Sequence, residues 1–402
     1  MPARELHRKP PCPAGQAELL AEAVVRDRRA LHAIPELGFD LPRTTAYLEQ
    51  ALADLGLAPR RLGGGLAADL GEDLDRPLFA WRADMDALPI QEATGAAYAS
   101  TLPGQMHACG HDGHMAIALG LARHFRVGGQ ESPCRLRLLF QPAEELASGA
   151  RRMIEAGALE GVQAIAGLHL WTSGSPAVAN VVFASRVGPI MAACDFFEIA
   201  FRGDPTHGAF PNLGSDAVLA ACQCVAALQT ARYAAVDPAH AAVISVGMVH
   251  AGTAANVLPE RAVVQGSART TDPGDREKME QKVRRLAEGV GLATGTDVTV
   301  AWRRMIPATV NDRALVGLAE AAAAAVLGPA GFARLEHTAL GAEDFGEYLE
   351  RIPGVLLLLG AGDPGRGISQ PLHHPAFDLD ERVLPRAVAV AAELVARWAS
   401  SR

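Results

Sequence analysis

The sequence predicts an α/β protein, a mostly parallel β-sheet flanked by helices, interrupted by an inserted α+β domain of ferredoxin-like topology. Three observations carry that expectation. In the first half, apolar runs of strand length alternate with stretches of helical period, as in strands joined by crossover helices. From about Val187 to Arg303 the order becomes β-α-β-β-α-β, which closes on itself as a sandwich of four strands and two helices. And 402 residues exceed what one ordinary core takes up, so two domains are expected, 1–186 with 304–402, and 187–303.

Taken in order, Ala14 to Ala33 repeats Leu19, Leu20, Ala23, Val24 and Leu31 on one helical face and stops at Pro35; a second helix follows at Leu41–Leu55. Strands are expected at Leu66–Leu70 and Pro77–Arg82, a helix at Gly113–Val127, a strand at Arg135–Gln141, a helix at Glu144–Ala156 and a strand at Ala164–Leu170. The register changes around Asn180–Pro189. The inserted domain then reads as strand Cys194–Phe201, helix Ser215–Ala231, strands Ala242–Val249 and Arg261–Thr270, helix Asp275–Gly289 and strand Asp297–Trp302. Helices Asp312–Leu327 and Ala342–Arg351, strand Val355–Gly360 and helix Asp380–Ala399 return to the first layer. Met1–Gln16, with Pro10, Pro11 and Pro13 and no apolar run, reads as a loose tail rather than a signal peptide.

Composition narrows the function. The net charge of −8 carries no basic block, which argues against nucleic acid and an anionic membrane surface. No apolar run reaches the length of a membrane span. The six cysteines follow no framework spacing, so a reduced, cytoplasmic setting is expected.

The chemistry concentrates at Met106-His107-Ala108-Cys109-Gly110-His111-Asp112-Gly113-His114, where a thiol, a carboxylate and three imidazoles sit at a turn expected to lead into a helix at His114. Cys109 and His111 could be half of a closed zinc site, but no second tight Cys/His pair exists to complete it. Cys222 and Cys224 sit within a helical pattern and read as packing. In parallel sheets ligand groups gather at the carboxyl ends of strands, and Asp84, Gln141–Glu145 and His169 all fall there. Glu144-Glu145 could be acids in the first turn of a helix, or a metal-binding carboxylate beside a general base. His373-His374-Pro375 reads equally as a turn or as a ligand loop.

These segments together resemble a family. Arg82-Ala83-Asp84-Met85-Asp86-Ala87-Leu88-Pro89, the Cys109–His114 stretch, Phe140-Gln141-Pro142-Ala143-Glu144-Glu145, Gly167-Leu168-His169 and Leu372-His373-His374-Pro375 look like the amidohydrolase branch of the M20 metallopeptidases. That branch includes bacterial hippurate and N-acyl-amino-acid amidohydrolases and the plant hydrolases of auxin conjugates. The resemblance implies a zinc-peptidase-like catalytic domain and a lid that carries dimerisation. It also implies two divalent ions (zinc, manganese, cobalt or nickel) held by Cys109, His111, Glu145, His169 and His373, with at least one side chain shared. Glu144 matches the general base. Asp84 stands where other branches carry a histidine ligand, and Asp86, Asp112 and His114 are expected to support the ligands. His107 is set aside as a loop-orienting residue. Asp204-Pro205-Thr206-His207-Gly208 resembles the segment whose histidine reaches an active site, commonly across a dimer, with Pro205-Thr206 in place of a glycine pair and Asn212 where a histidine often follows. Asn256 and Arg269 match residues that hold a substrate carboxylate. The implied activity is hydrolysis of N-acyl amino acids; dipeptides or aryl amides, or a non-catalytic ligand-binding role, are the alternatives. Gly188–Met191 and Leu340–Asp344 are candidate lining segments.

Overall fold

In a computed structural model of the chain, residues 14–71, 73–127, 131–173 and 182–402 are described. The stretch read as an N-terminal tail lies outside them through Pro13, as do Asn180 and Val181 at the expected register change. The chain forms two compact units. The first comprises residues up to Ser185, Arg313–Arg334 and Ile352–Arg402; the second comprises Arg186–Asp312 and Leu335–Arg351.

The first unit is built on an eight-stranded sheet in the order Arg60–Leu62, Gly65–Leu70, Arg135–Gln141, Leu78–Asp84, Val162–Trp171, Gly354–Gly360, Phe183–Ser185, Phe332–Arg334. Its middle four strands, Arg135–Gln141 to Gly354–Gly360, are parallel. Leu78–Asp84 and Gly354–Gly360 are buried at every position, which requires cover on both faces and explains the apolar runs Leu78–Trp81 and Val355–Leu359. The short strands Arg60–Leu62, Phe183–Ser185 and Phe332–Arg334 were not expected: three residues show no usable period. Helix His111–Val127, buried along most of its length, packs against Ala14–His32 and Val383–Ser400.

The second unit has the expected ferredoxin-like order. Strands Ala242–Ala251, Arg261–Thr270, Ala193–Arg202 and Asp297–Ile306 pair antiparallel in that sequence. Helices Ala217–Leu228 and Pro273–Thr294 close the core on Phe197, Ile199, Phe201, Val264 and Val283. The expected helix Ser215–Ala231 is shorter and is followed by a separate turn, Ala231–Ala235; Asp216 caps it by accepting from the Leu219 amide.

The boundaries differ from expectation. The segments 304–312 and 335–351 were assigned to the first domain but belong to the second unit. Their backbone partners decide this: Ala192 donates to the carbonyls of Ala339 and Gly341, Ala339 donates to Ile190, and Thr309–Asn311 pairs with Gly188–Met191. The expected helix Ala342–Arg351 shrinks to Gly346–Leu349.

A buried ionic cluster ties the first unit together. Arg28 donates to Asp112 (2.8 Å), Asp378 (2.9 Å) and Glu381 (3.2 Å), linking the first helix, the helix at His111 and the chain's last segment. His32 bridges Asp112 at 2.8 Å and Glu92 at 3.2 Å. Burial pushes the His32 imidazole down, but Asp112 and Glu92 more than offset it and hold its pKa at about 9, above the ordinary 6.5. His32 therefore carries a proton in the folded chain over a range where the unfolded chain has lost it. Its stabilisation is full below pH 6.5 and disappears as the pH rises through about 9. Urea unfolding of wild type and His32→Asn should show a gap in stability at pH 6 that narrows by pH 10. A gap independent of pH would overturn the charge assignment.

Candidate metal centre

The three neighbouring parallel strands Arg135–Gln141, Leu78–Asp84 and Val162–Trp171 deliver Glu144-Glu145, Asp84 with Asp86, and His169 to one sheet edge. The turn before helix His111–Val127 adds Cys109, and the helix's first residue adds His111. His373 arrives on a loop whose amide donates to the Ala108 carbonyl at 2.8 Å, next to Cys109. Gly110 makes the turn at φ 84°, a left-handed backbone that side chains resist. The helix starts at His111, not at His114. Gly113 is helical, and its role is space: a Cβ there would lie 2.5 Å from Leu170 Cδ1.

Beside a group made by Asp84, His111 and His114, two groups of ligand-capable atoms result around Cys109, each with its members within 4.8 Å of one another: Cys109, His111 and His169, and Cys109, Glu145 and His373. Cys109 belongs to both. Its Sγ lies 3.5 Å from His169 Nε2, and His373 Nε2 lies 3.5 Å from Glu145 Oε1. Glu144 shares a similar group with His111 and Glu145. The first group is buried throughout, whereas about half of the His373 side chain is exposed.

The imidazoles are set to present a lone pair. His111 Nδ1 donates to the Asp86 carbonyl at 2.7 Å, which leaves its Nε2 as the acceptor nitrogen. That Nε2 is buried and has no hydrogen-bond partner among the described residues; Asp84 Oδ2 lies 3.7 Å away and Glu145 Oε1 3.9 Å. His169 Nδ1 likewise donates to the Leu170 carbonyl at 2.8 Å. Burial lowers the His111 pKa to about 3 and lowers that of His373 as well, so both rings stay neutral. Neutral imidazoles, a thiol and carboxylates around a buried orphan nitrogen fit divalent cations of the zinc or cobalt type.

The supporting residues divide by what they hold. Asp86 holds His111 through its backbone carbonyl at 2.7 Å, with its carboxylate Oδ1 3.8 Å from the same ring nitrogen. Its carboxylate accepts from the amides of Glu144 (2.9 Å) and Glu145 (3.2 Å). Asp84 accepts from Arg82 (2.7 Å) and from His114 (2.6 Å). Against a burial that opposes ionisation, the Arg82 guanidinium and the hydrogen bond from His114 keep the Asp84 carboxyl far below its usual range. Asp112 serves Arg28 and His32 rather than the ligands directly. His107 is buried, and neither ring nitrogen finds a partner among the described residues.

The expected helix Glu144–Ala156 is instead a tight turn followed by Gly149–Glu155. Ala143 (φ 53°) and Ala147 (φ 56°) are left-handed, and His373 (φ 64°) is the other non-glycine residue of this kind among the described residues. Such strain clusters where the surroundings over-determine a geometry. Sequence reasoning missed Gly149, where a Cβ would sit 1.6 Å from the Pro142 carbonyl oxygen. The available signal was a glycine five residues beyond Glu144, inside an otherwise helical run.

His207, Asn256 and Arg269 lie in the second unit. His207 and Asn256 are brought together: Thr206–His207 pairs with Val257–Leu258, and Gly208 donates to the Asn256 carbonyl at 2.7 Å. His207 Nδ1 accepts from the Ala209 amide at 3.0 Å, so the neutral ring carries its hydrogen on the exposed Nε2. Arg269 stands elsewhere. It lies near the end of strand Arg261–Thr270 that pairs with the start of Ala193–Arg202, and it donates to the Leu340 carbonyl at 2.8 Å. Arg261 opposes the far end of that strand, beyond which His207 follows. Eight strand steps of about 3.3 Å separate the two ends, on the order of 26 Å.

Residues 80–397 match peptidase family M20/M25/M40. An N-acetyl-L-cysteine deacetylase of Bacillus subtilis is 37% identical over 92% of this chain and 86% of its own length. An IAA-amino acid hydrolase ILR1-like 2 of Arabidopsis thaliana is 33% identical over 93% of this chain and 85% of its own. The crystal structure of the Bacillus subtilis YXEP protein, described as a dinuclear metal-binding peptidase of the M20 family, superposes with a TM-score of 0.83. It has 34% identity and covers 96% of this chain and 99% of its own.

Gly149→Ala should displace the Pro142 carbonyl and with it the turn that carries Glu144 and Glu145. A cost of about 1–3 kcal/mol is expected, seen as a lower melting temperature, together with reduced metal content. Unchanged stability and metal content would show that the turn tolerates the methyl group.

Proposed function

The chain belongs to peptidase family M20/M25/M40, and on that premise we propose that it is a dinuclear metal-dependent amidohydrolase. Its substrates are N-acyl amino acids, cleaved to a carboxylic acid and a free amino acid. The observation that carries this reading is the pair of ligand groups sharing Cys109, with Glu144 beside them. Cys109, His111 and His169 would hold one ion, and Cys109, Glu145 and His373 the other, which makes the thiolate the shared ligand. Zinc, manganese, cobalt and nickel all suit this mixed donor set. When bound, such ions supply Lewis acidity to the amide carbonyl and make a nearby water easier to deprotonate.

The protein's own groups divide the remaining work. Glu144, held by the Asp86 carboxylate through its amide, takes the proton of the attacking water and returns it to the leaving amine nitrogen. The Nε2–H of His207 donates to the negative charge that develops on the carbonyl oxygen. Arg269 and Asn256 pair with the substrate carboxylate. The relatives named for N-acetyl-L-cysteine and for IAA-amino acids support an acylated amino acid as the substrate class, with acetyl, benzoyl or indoleacetyl groups as candidates.

The spacing of these groups supports a dimer. Ends of one strand on the order of 26 Å apart cannot both touch a substrate the size of an N-acyl amino acid, so His207 and Arg269 at a single site come from different copies. The edge strand Ala242–Ala251 and helix Ala217–Leu228 expose Val243, Met248, Val249, Val218 and Leu219, an apolar surface suited to a second copy. No helix among the described residues is long and apolar enough to cross a membrane, and a cytoplasmic location is part of the proposal.

Glu144→Gln should keep its metal and lose about 10²–10⁴-fold in turnover of N-acyl amino acids; substantial residual hydrolysis would remove it from the role of base. Equal amounts of Glu144→Gln and His207→Ala chains, unfolded and refolded together, should recover about a quarter of wild-type activity, because half of the dimers carry one intact site. Recovery of none would place His207 and Glu144 of the same chain in one site.

A further inference from the structure

The inner half of the centre contains a run of hydrogen bonds that ends on a ligand. It starts at Asp84, the position where a histidine ligand would be expected. Asp84 Oδ2 is fixed by Arg82 at 2.7 Å, and Arg82 is itself held on the Gln141 side-chain oxygen at 2.9 Å. Asp84 Oδ1 lies 2.6 Å from His114 Nδ1. The other nitrogen of that ring, Nε2, accepts the Leu170 amide at 2.9 Å. An amide only donates, so His114 Nε2 bears the lone pair and Nδ1 the hydrogen that Asp84 receives. On the far side of the same residue, the Leu170 carbonyl accepts from His169 Nδ1 at 2.8 Å. Both polar groups of Leu170 are thus bound by imidazoles, one from helix His111–Val127 and one from its own strand. The two rings meet edge to face with centroids 4.9 Å apart.

We propose that Asp84 and His114 form a positioning relay that fixes, through the Leu170 peptide, the ring orientation and tautomer of His169. The relay leaves His169 Nε2 with its lone pair toward Cys109 Sγ. His114 takes no ligand role of its own, because both of its nitrogens are committed. Asp84 acts through His114 and stays out of the ligand set, although its Oδ2 lies 3.7 Å from His111 Nε2. The relay ends on His169, which belongs to the group of Cys109, His111 and His169 and not to that of Cys109, Glu145 and His373. The inference rests on the dinuclear reading above and adds an asymmetry between its two halves.

The test uses metal-free full-length protein titrated with cobalt(II), followed by calorimetry and by the visible absorption of cobalt–thiolate coordination. Wild type should bind two ions, and His373→Ala marks the loss of the outer one. His114→Leu should weaken one of the two ions by about 10–100-fold and leave the other unchanged, with the fold intact by circular dichroism. A general loss of structure would weaken both. His114→Gln, whose side-chain amide can both donate to Asp84 and accept the Leu170 amide, should retain both ions within about threefold of wild type, below the 10–100-fold range for a broken supporting bond. This variant stands as the test should His114→Leu not fold. Two ions bound normally by a folded His114→Leu, or a His114→Gln variant as impaired as a lost ligand, would overturn the relay. Wild-type protein that binds no cobalt would instead overturn the dinuclear reading.

Discussion

Asp86 is the constraint on which the rest of the centre depends. Its backbone carbonyl fixes His111 by accepting the Nδ1 hydrogen, and its carboxylate fixes the Glu144–Glu145 turn by accepting two amides. One residue thus sets the direction of a ligand nitrogen and the place of two carboxylates 58 and 59 positions away in sequence. A charged acceptor makes stronger bonds to amides than a neutral one, and here it holds a turn with left-handed alanines at both sides. Removing the carboxylate would leave two amides without that acceptor and the strain without its restraint.

Charge is buried around the site in pairs that leave little unbalanced. Arg82 meets Asp84, and Arg28 meets Asp112, Asp378 and Glu381. An uncompensated charge at such depth costs several kcal/mol, and breaking one partner typically costs about 3–5 kcal/mol. The two clusters reach the candidate ligands through different elements. Asp84 leads through His114 and Leu170 to His169, while Asp112 anchors the helix that begins with His111. The ligands of the inner group are therefore held by rigid, dry surroundings, whereas His373 is half exposed on a strained loop.

Much of this was legible in the sequence. The alternation of strand and helix periods marked the parallel sheet, and the β-α-β-β-α-β order marked the second unit. The ligand residues stood out because metal-capable side chains fell at strand ends. What escaped were features with no period: strands of three residues, the turn at Ala143–Ser148 that helical composition disguised, and the extended stretch 335–341, whose backbone partners lie in the second unit.

By itself the sequence determined the fold class, the family and the ligand candidates, because hydrophobic period and side-chain chemistry are properties of local residues. Only the tertiary structure decided that Cys109 is common to both ligand groups, that Asp86 works through its backbone as well as its carboxylate, and that His114 is spent on Asp84 and Leu170. Each of those is a question of distance and direction between atoms far apart in the chain. Residue type limits which hydrogen bonds can form; the packing of strands and helices selects which ones do.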